Sequence, residues 1–256
     1  MYSSLLGWKN YEKLGNPDYI GFMQYARQFN LSNFNFGKKE FNVREQAYKY
    51  ILLKYPCLNQ DTYLSQLGLT YSNITDIFKE FDGIVTSEAD LSIMNCKSQR
   101  EEYEKVNSGL NVDDFDIMHE VIKEKYPEMS DFIEKRKNEP RKSCFQMYIL
   151  RREVFFDYMQ FLFSVLFECE KRIDVSSYSI NGKRTMGYLA EFLCDYYVNY
   201  NKHKYKFKFC DVVSCEIIRD QSFFSCKKFI KKIFSYAFYQ TIYAFYQNSY
   251  LKEQKK

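Results

Sequence analysis

Carboxylates at short spacing are the first places to look for chemistry in this chain. Asp113, Asp114 and Asp116 contain an Asp-x-Asp, in which two carboxylates on one turn can bracket a hard divalent cation, Mn or Mg, against a diphosphate. The same acids stand just before an apolar-periodic stretch, where Asp caps free amides and meets the positive end of a helix dipole, and the spacing favours that second role. Glu191 and Asp195, four apart, project together from one helix face. Two cationic pairs could contact phosphate: Arg151 and Arg152 after an apolar strand, and Lys183 and Arg184 in a glycine-containing loop. The chain has no Gly-x-Gly, no Gly-x-Ser-x-Gly and no His-Glu-x-x-His, and His119 and His203 read as surface or packed side chains. A hydrolase triad and a zinc hydrolase are thereby excluded.

Positioning these groups falls to alternating strands and helices. Residues 18–25, 81–86, 144–150 and 204–213 have strand character. The first three are apolar on both faces, as in a sheet covered by helices, while the last alternates Lys204, Lys206 and Lys208 with Tyr205, Phe207 and Phe209, as an edge or hairpin strand does. Apolar residues at three- and four-residue spacing predict helices over 43–53, 115–125, 153–172 and 185–200. Loops are predicted at 31–39, 108–114 and 176–183, where Asn, Ser, Gly and Asp collect. The class that follows is α/β, a layered sheet flanked by helices.

Composition narrows the function. With 46% apolar residues, a mean hydropathy of -0.50 and 37 basic against 33 acidic side chains in 256 residues, the chain is globular. Only 9 glycines make a phosphate-cradling loop improbable. The 8 cysteines include no Cys-x-x-Cys and read as buried thiols in a reducing cytosol. Neither a secretory leader nor a membrane-spanning segment is predicted.

Several segments, in order, resemble a known family. They are Trp8-Lys9-Asn10, Asp18-Tyr19-Ile20-Gly21-Phe22, Tyr25-x-Arg27, Asp114-Phe115-Asp116 leading to Tyr126-Pro127, residues 145–150, Leu166-Phe167-Glu168, residues 170–174 and Gly187-Tyr188-Leu189-Ala190-Glu191. Over roughly residues 2–200 the chain resembles the domain-of-unknown-function family of bacterial capsular-polysaccharide and lipopolysaccharide glycosyltransferases. The resemblance implies a GT-A-like, Rossmann-like mixed sheet and transfer of a sugar from a nucleotide-sugar donor to a saccharide or lipid-linked glycan acceptor. It also implies Glu191 as general base, and Tyr25, Arg27, Gln146 and Arg184 as substrate contacts. Asp114 and Asp116 would be the ligands of a divalent cation.

The match departs from the family pattern at informative places. Where the family has His-Tyr-Arg-Arg-Tyr-Phe, this chain has Gln24, Tyr25, Ala26, Arg27, Gln28 and Phe29, and where it has Ser-Glu-Arg-Leu the chain keeps Glu191 but not the arginine. Family members usually open with a strand that precedes the Trp8 helix, so a sheet lacking its first strand is expected. A truncated, non-catalytic relative, acting as an accessory or binding protein, is the alternative to an active enzyme.

Charge divides the chain at its end. Residues 201–256 hold 12 Lys and Arg against 4 Asp and Glu, and helical spacing puts Lys227, Lys228, Lys231 and Lys232 opposite Phe229, Ile230, Ile233 and Phe234. Residues 1–215 therefore read as the domain and 216–256 as a basic aromatic tail. An amphipathic helix there would suit the inner face of an anionic cytoplasmic membrane, or dock on the domain itself. Nucleic acid is not expected as a partner, because the chain's overall excess of positive charge is only +4.

Overall fold

The computed structural model describes residues 2–24, 27–33, 41–55, 64–106 and 109–217, and among these residues lie nine strands and eight α-helices. In chain order the strands are β1 (Tyr19–Phe22), β2 (Arg27–Phe29), β3 (Tyr50–Tyr55), β4 (Gly83–Thr86), β5 (Glu88–Asp90), β6 (Arg141–Ser143), β7 (Tyr148–Arg151), β8 (Phe207–Cys210) and β9 (Val212–Ile217). The helices are α1 (Tyr2–Lys9), α2 (Val43–Tyr48), α3 (Tyr71–Ile77), α4 (Gln99–Val106), α5 (Val112–Lys125), α6 (Ser130–Arg136), α7 (Arg152–Arg172) and α8 (Thr185–Tyr200).

The central sheet is mixed and open, with strand order β1-β7-β4-β8. β7 runs antiparallel to both neighbours, pairing Phe22 with Tyr148 and Val85 with Tyr148, while β4 and β8 are parallel. The carboxyl ends of β1, β4 and β8 therefore gather at one edge with the start of β7. Alternation divides the core in two. Ile20, Val85, Tyr148 and Leu150 pack under α5, α7 and α8, whereas Ile84, Ile149 and Met147 face Phe29, Phe78, Leu91 and Val213 on the other side. A second sheet of order β2-β9-β3 and the pair β5-β6 complete that second layer.

The helices at 112–125, 152–172 and 185–200 agree with their apolar periodicity. The one expected over 43–53 does not. It begins with a capping box between Asn42 and Glu45, ends at Tyr48, and turns at Lys49 with φ 50°. Residues 50–55 then form β3, parallel to β9 with Tyr50 opposite Val212, so pairing with a distant strand overrides the local helical period. The strand expected over 144–150 is broken by consecutive positive φ angles at Phe145 (74°) and Gln146 (44°), leaving β6 and β7 on either side of a turn. The one expected over 204–213 splits at Asp211 into β8, an edge of the central sheet, and β9, the middle of the second sheet. β1 is the other edge of the central sheet.

Candidate active site

Four segments deliver side chains to the edge where the parallel strands end. β1 carries Gln24 two residues past its last paired position, β2 opens with Arg27, the turn from β6 to β7 presents Phe145, and α8 contributes Glu191. Arg27 Nη1 donates to Gln24 Oε1, and Gln24 Nε2 donates to Glu191 Oε1 at 3.3 Å. The amide's orientation is forced: a guanidinium only donates, so the carboxamide oxygen must face Arg27 and the nitrogen the carboxylate. A cation and an anion 164 positions apart are thus joined by one side chain.

The Arg27 guanidinium lies over the Phe145 ring, 4.3 Å from its centroid, and its Nε is a buried donor without a partner. Burial lowers the Arg27 pKa, and the negative charge of Glu191 works against that shift. Arg44, whose guanidinium sits 5.7 Å from the Tyr48 ring centroid, adds a second positive charge that lowers it further. Tyr48 and Tyr50 both contact Phe145, with centroids 5.8 and 6.0 Å away. The edge is therefore an aromatic shelf carrying cations, suited to an anion with a flat or apolar part.

Behind the shelf the support is buried and ionic. Lys142 and Glu102 pair at 2.8 Å, almost without exposure, while Tyr48 donates to the other Glu102 oxygen at 2.7 Å and the Lys142 ammonium lies 4.1 Å from the Phe192 centroid. Burial alone would lower the Lys142 pKa, but the facing Glu102 carboxylate more than offsets it and holds the ammonium above its usual range. One turn beyond Glu191, Asp195 is fully buried and accepts from Arg136 twice, from Gln99, from Asn199 and from the Ser143 amide. Thr86 donates to the Cys144 carbonyl at 2.8 Å. These bonds fix the carboxyl end of β6 and the start of the turn that holds Phe145. Burial also pushes the Cys144 thiol well up, which leaves it neutral and unreactive.

The remaining sequence expectations land in different places. Gln146 adjoins this shelf and donates to the Tyr158 hydroxyl at 3.4 Å, whereas Tyr25 lies outside the described residues. Arg184 is exposed at the start of α8, stacked over Tyr188, and about 10 Å from Glu191 along the helix axis at 1.5 Å per residue. Asp114 and Asp116 do not converge. Asp114 is buried and accepts from Tyr178 at 2.8 Å and Thr185 at 2.7 Å, with burial raising its pKa, while Asp116 forms a two-pronged pair with Arg100 that lowers its own. Those oxygens already face protein donors, so the pair does not fit a divalent cation. The cap before α5 is Asn111, whose side chain accepts from the Asp113 amide.

Arg151 and Arg152 sit at the opposite edge, where β7 ends, and are held by Asp82 and the Phe78 carbonyl and by Asp18 and the Asn16 carbonyl. They are structural clamps far from Glu191. His119 is a packed residue: its Nδ1 must donate to the Phe115 carbonyl at 2.7 Å, so its Nε2 accepts from Tyr196 at 2.8 Å. His203 is exposed. Cys96, Cys144, Cys169, Cys194 and Cys210 are free buried thiols, as expected. No helix among the described residues is long and apolar enough to cross a membrane, and the amphipathic tail helix lies outside the described residues. Sequence reasoning passed over Gln24 and Phe145 as participants: Phe145 lies inside a segment that matched the family pattern, and Gln24 stands where that pattern has His.

One solved structure, described as a WbbM bifunctional glycosyltransferase in its apo state, shares this fold with a TM-score of 0.69 at 24% identity, over 84% of this chain and 36% of that one. The chain thus spans about a third of the length of that protein. No curated protein matches. Residues 3–203, most of the chain and with it Gln24, Arg27, Phe145 and Glu191, match the domain of unknown function DUF4422, and the protein belongs to that family.

Proposed function

We propose that the protein is a glycosyltransferase that moves a sugar from a nucleotide-sugar donor to a saccharide acceptor. The observation that carries this reading is the meeting of Arg27 and Glu191, through Gln24, at the carboxyl ends of the parallel strands. Open α/β sheets bind ligands at that edge. The match to a bifunctional glycosyltransferase concerns the fold, and it supports the same class.

In this reading Glu191 takes the proton of the acceptor hydroxyl as its oxygen bonds to the anomeric carbon. The bond from that carbon to the donor phosphate oxygen breaks, and the nucleoside diphosphate leaves with the electron pair. Arg27, partly desolvated and with a free buried donor, stabilises the charge that develops on the leaving group. Phe145, Tyr48 and Tyr50 offer the apolar surface against which a base or sugar ring packs, and Gln146 borders it. Arg184 would meet the acceptor side, two turns up α8. No step runs through a metal ion.

Capsule or lipopolysaccharide assembly, in the cytoplasm or at the inner face of the cytoplasmic membrane, is the setting proposed for this reaction. A lipid-linked acceptor and the basic tail of residues 216–256 would suit that setting. The second reading, a non-catalytic accessory or binding protein, draws on the same bonds: Gln24 occupies one donor of Arg27 and one oxygen of Glu191, groups a transferase needs for ligands.

Purified full-length protein screened against nucleotide sugars, with and without manganese, decides between them. Release of nucleotide that depends on acceptor and falls at least about 100-fold in Glu191→Gln is expected of a general base. Binding without turnover would establish the non-catalytic reading, and absence of both would overturn the transferase assignment.

A further inference from the structure

The two charged groups of the site are joined by one neutral amide, and an anion that takes the Arg27 hydrogen directed at Gln24 competes with its bond. Arg27 directs Nη1 at Gln24 and has a buried Nε with no partner, so an anion arriving at the Nη1 side of the guanidinium meets a group already engaged by the amide. Taking the engaged donor removes the acceptor interaction that fixes the Gln24 oxygen. The other end of the same amide is the 3.3 Å bond to Glu191 Oε1. Because the amide is planar and its two polar atoms share one terminal torsion, turning the oxygen away from Arg27 also turns the nitrogen away from Glu191.

We infer that Gln24 is a positioning residue that links the two halves of the site, holding Arg27 and Glu191 together when no anion is bound and releasing the Glu191 carboxylate when a diphosphate takes Arg27. The inference rests on the proposed transferase reading for its meaning, since it makes the base free for an acceptor only after the donor is seated. Its anion half stands on geometry alone. Among the described residues Gln24 is the one hydrogen-bond donor to Glu191, and the buried Lys142 nearby is already committed to Glu102 at 2.8 Å. Release therefore exposes a carboxylate oxygen instead of passing it to another partner.

The bond between Arg27 and Gln24 competes with the anion, so the two available substitutions act in opposite directions. Gln24→Leu is one carbon shorter, branches at Cγ and removes both polar atoms, leaving Nη1 and Nε of Arg27 both unengaged. Gln24→Glu keeps the shape and places a carboxylate on Arg27, a stronger competitor, while repelling Glu191. The probe is inorganic pyrophosphate, measured by calorimetry on the full chain. A hydrogen bond to a charged group is worth about 1.5–3 kcal/mol in mutational series, and roughly half of one such bond is recovered here, so Gln24→Leu should bind pyrophosphate about 3- to 10-fold more tightly than wild type. Gln24→Glu should bind it at least about 10-fold more weakly.

Turnover is the second readout. If the relay orders the two steps, Gln24→Leu should bind the anion more tightly yet transfer sugar at least about 10-fold more slowly, with the loss in kcat and not in KM for the donor. A merely structural side chain would weaken both binding and turnover together, and a bystander would change neither. Unfolding midpoints within about 2 °C of wild type show that each variant is folded. Weaker pyrophosphate binding by Gln24→Leu, or binding that Arg27→Met leaves unaltered, overturns the inference outright. If wild type binds pyrophosphate through Arg27 with the expected order of affinities but turns over no nucleotide sugar, the link to Arg27 holds and the transferase reading fails. If wild type turns over sugar and Gln24→Leu matches it in both readouts, the relay fails alone.

Discussion

Replacing Asp195 by Asn tests the support on which the candidate site stands. The carboxylate is fully buried, and each oxygen has its own donors: Oδ1 accepts from Arg136 Nη2 (2.8 Å), the Ser143 amide (2.6 Å) and Asn199 (2.9 Å), and Oδ2 from Arg136 Nε (2.9 Å) and Gln99 (2.9 Å). An asparagine fits the space but offers one oxygen. Keeping it in the Oδ1 position turns its NH2 toward two donors, so two hydrogen bonds to a charged oxygen are lost and donor-to-donor contacts replace them. Charge-assisted bonds contribute about 1.5–3 kcal/mol and neutral ones about 1 kcal/mol. Breaking a buried pair costs about 3–5 kcal/mol, and Arg136 keeps Glu88 at 2.7 Å and Glu139 at 2.8 Å, which argues for the lower end. The expected loss is about 3 kcal/mol.

For a chain of this size that corresponds to a fall in Tm of roughly 6–12 °C, read by calorimetry and checked by urea unfolding with an unchanged m-value. Arg136→Met, which strands the carboxylate, should cost as much. Combining it with Asp195→Leu should cost less than the sum of the single changes by about 2 kcal/mol, because the two groups are coupled. A single Asp195→Asn loss below about 1 kcal/mol, or strict additivity in the cycle, would show that this network does not hold β6 against α8.

Three further outcomes follow from separate features. His119 is buried with its pKa lowered from 6.5 to about 4, so its stabilising neutral form is complete above 6.5 and stability falls as pH drops from there through about 4, by on the order of 3 kcal/mol; His119→Gln should flatten that limb of stability against pH, and a variant that tracks wild type would remove His119 as its source. Gly182→Ala puts a Cβ 2.6 Å from the Gly109 carbonyl oxygen and 3.0 Å from the Tyr178 Cβ, a backbone clash at the entrance to α8 expected to cost about 1–3 kcal/mol in denaturant unfolding. Asp116→Asn loosens the Arg100 pair, exposed by about 40% on each side, by no more than about 1 kcal/mol; with its oxygens turned to Arg100 it should leave any manganese stimulation of turnover within about 2-fold, and a loss of that stimulation would show that the acids do gather a cation when substrate binds.

Local pattern was enough for the helical layer. α7 buries one face, α8 is buried on all sides from Phe192 to Val198, and the apolar stripe of Leu189, Phe192, Leu193, Tyr196 and Tyr197 is buried throughout. It was insufficient wherever a strand is made by its partner: Tyr50–Tyr55 reads as the continuation of a helix until β9 pairs with it, and β2, β5 and β6 are three-residue strands too short to show a period. The site divides the same way. Arg27 and Glu191 announce themselves by charge and by their place in matched segments. Phe145 serves through a left-handed backbone at φ 74° that no side-chain pattern encodes, and Asp114 and Asp116 mislead because spacing along a helix says nothing about which donors other elements bring to each acid.

Register explains why Gln24 reaches Glu191 at all. β1 pairs with β7 so that Ile20 faces Leu150 and Phe22 faces Tyr148, and Ile20 packs with Tyr148 and Leu150 against α7 and α8, with Phe22 beside them. Side chains two apart share a face, so Gln24, next in the series, points into the same helical layer, where α8 carries Glu191. Gly21, on the opposite face, leaves room for Ile149, whose nearest carbon would lie 3.1 Å from an added Cβ. A one-residue slip would exchange the faces and turn Gln24 away from Glu191, toward Phe29 and Val213. The register of β1 on β7 therefore also sets the geometry of the polar relay: the pairing of Tyr19–Phe22 specifies the position of an amide two residues beyond them.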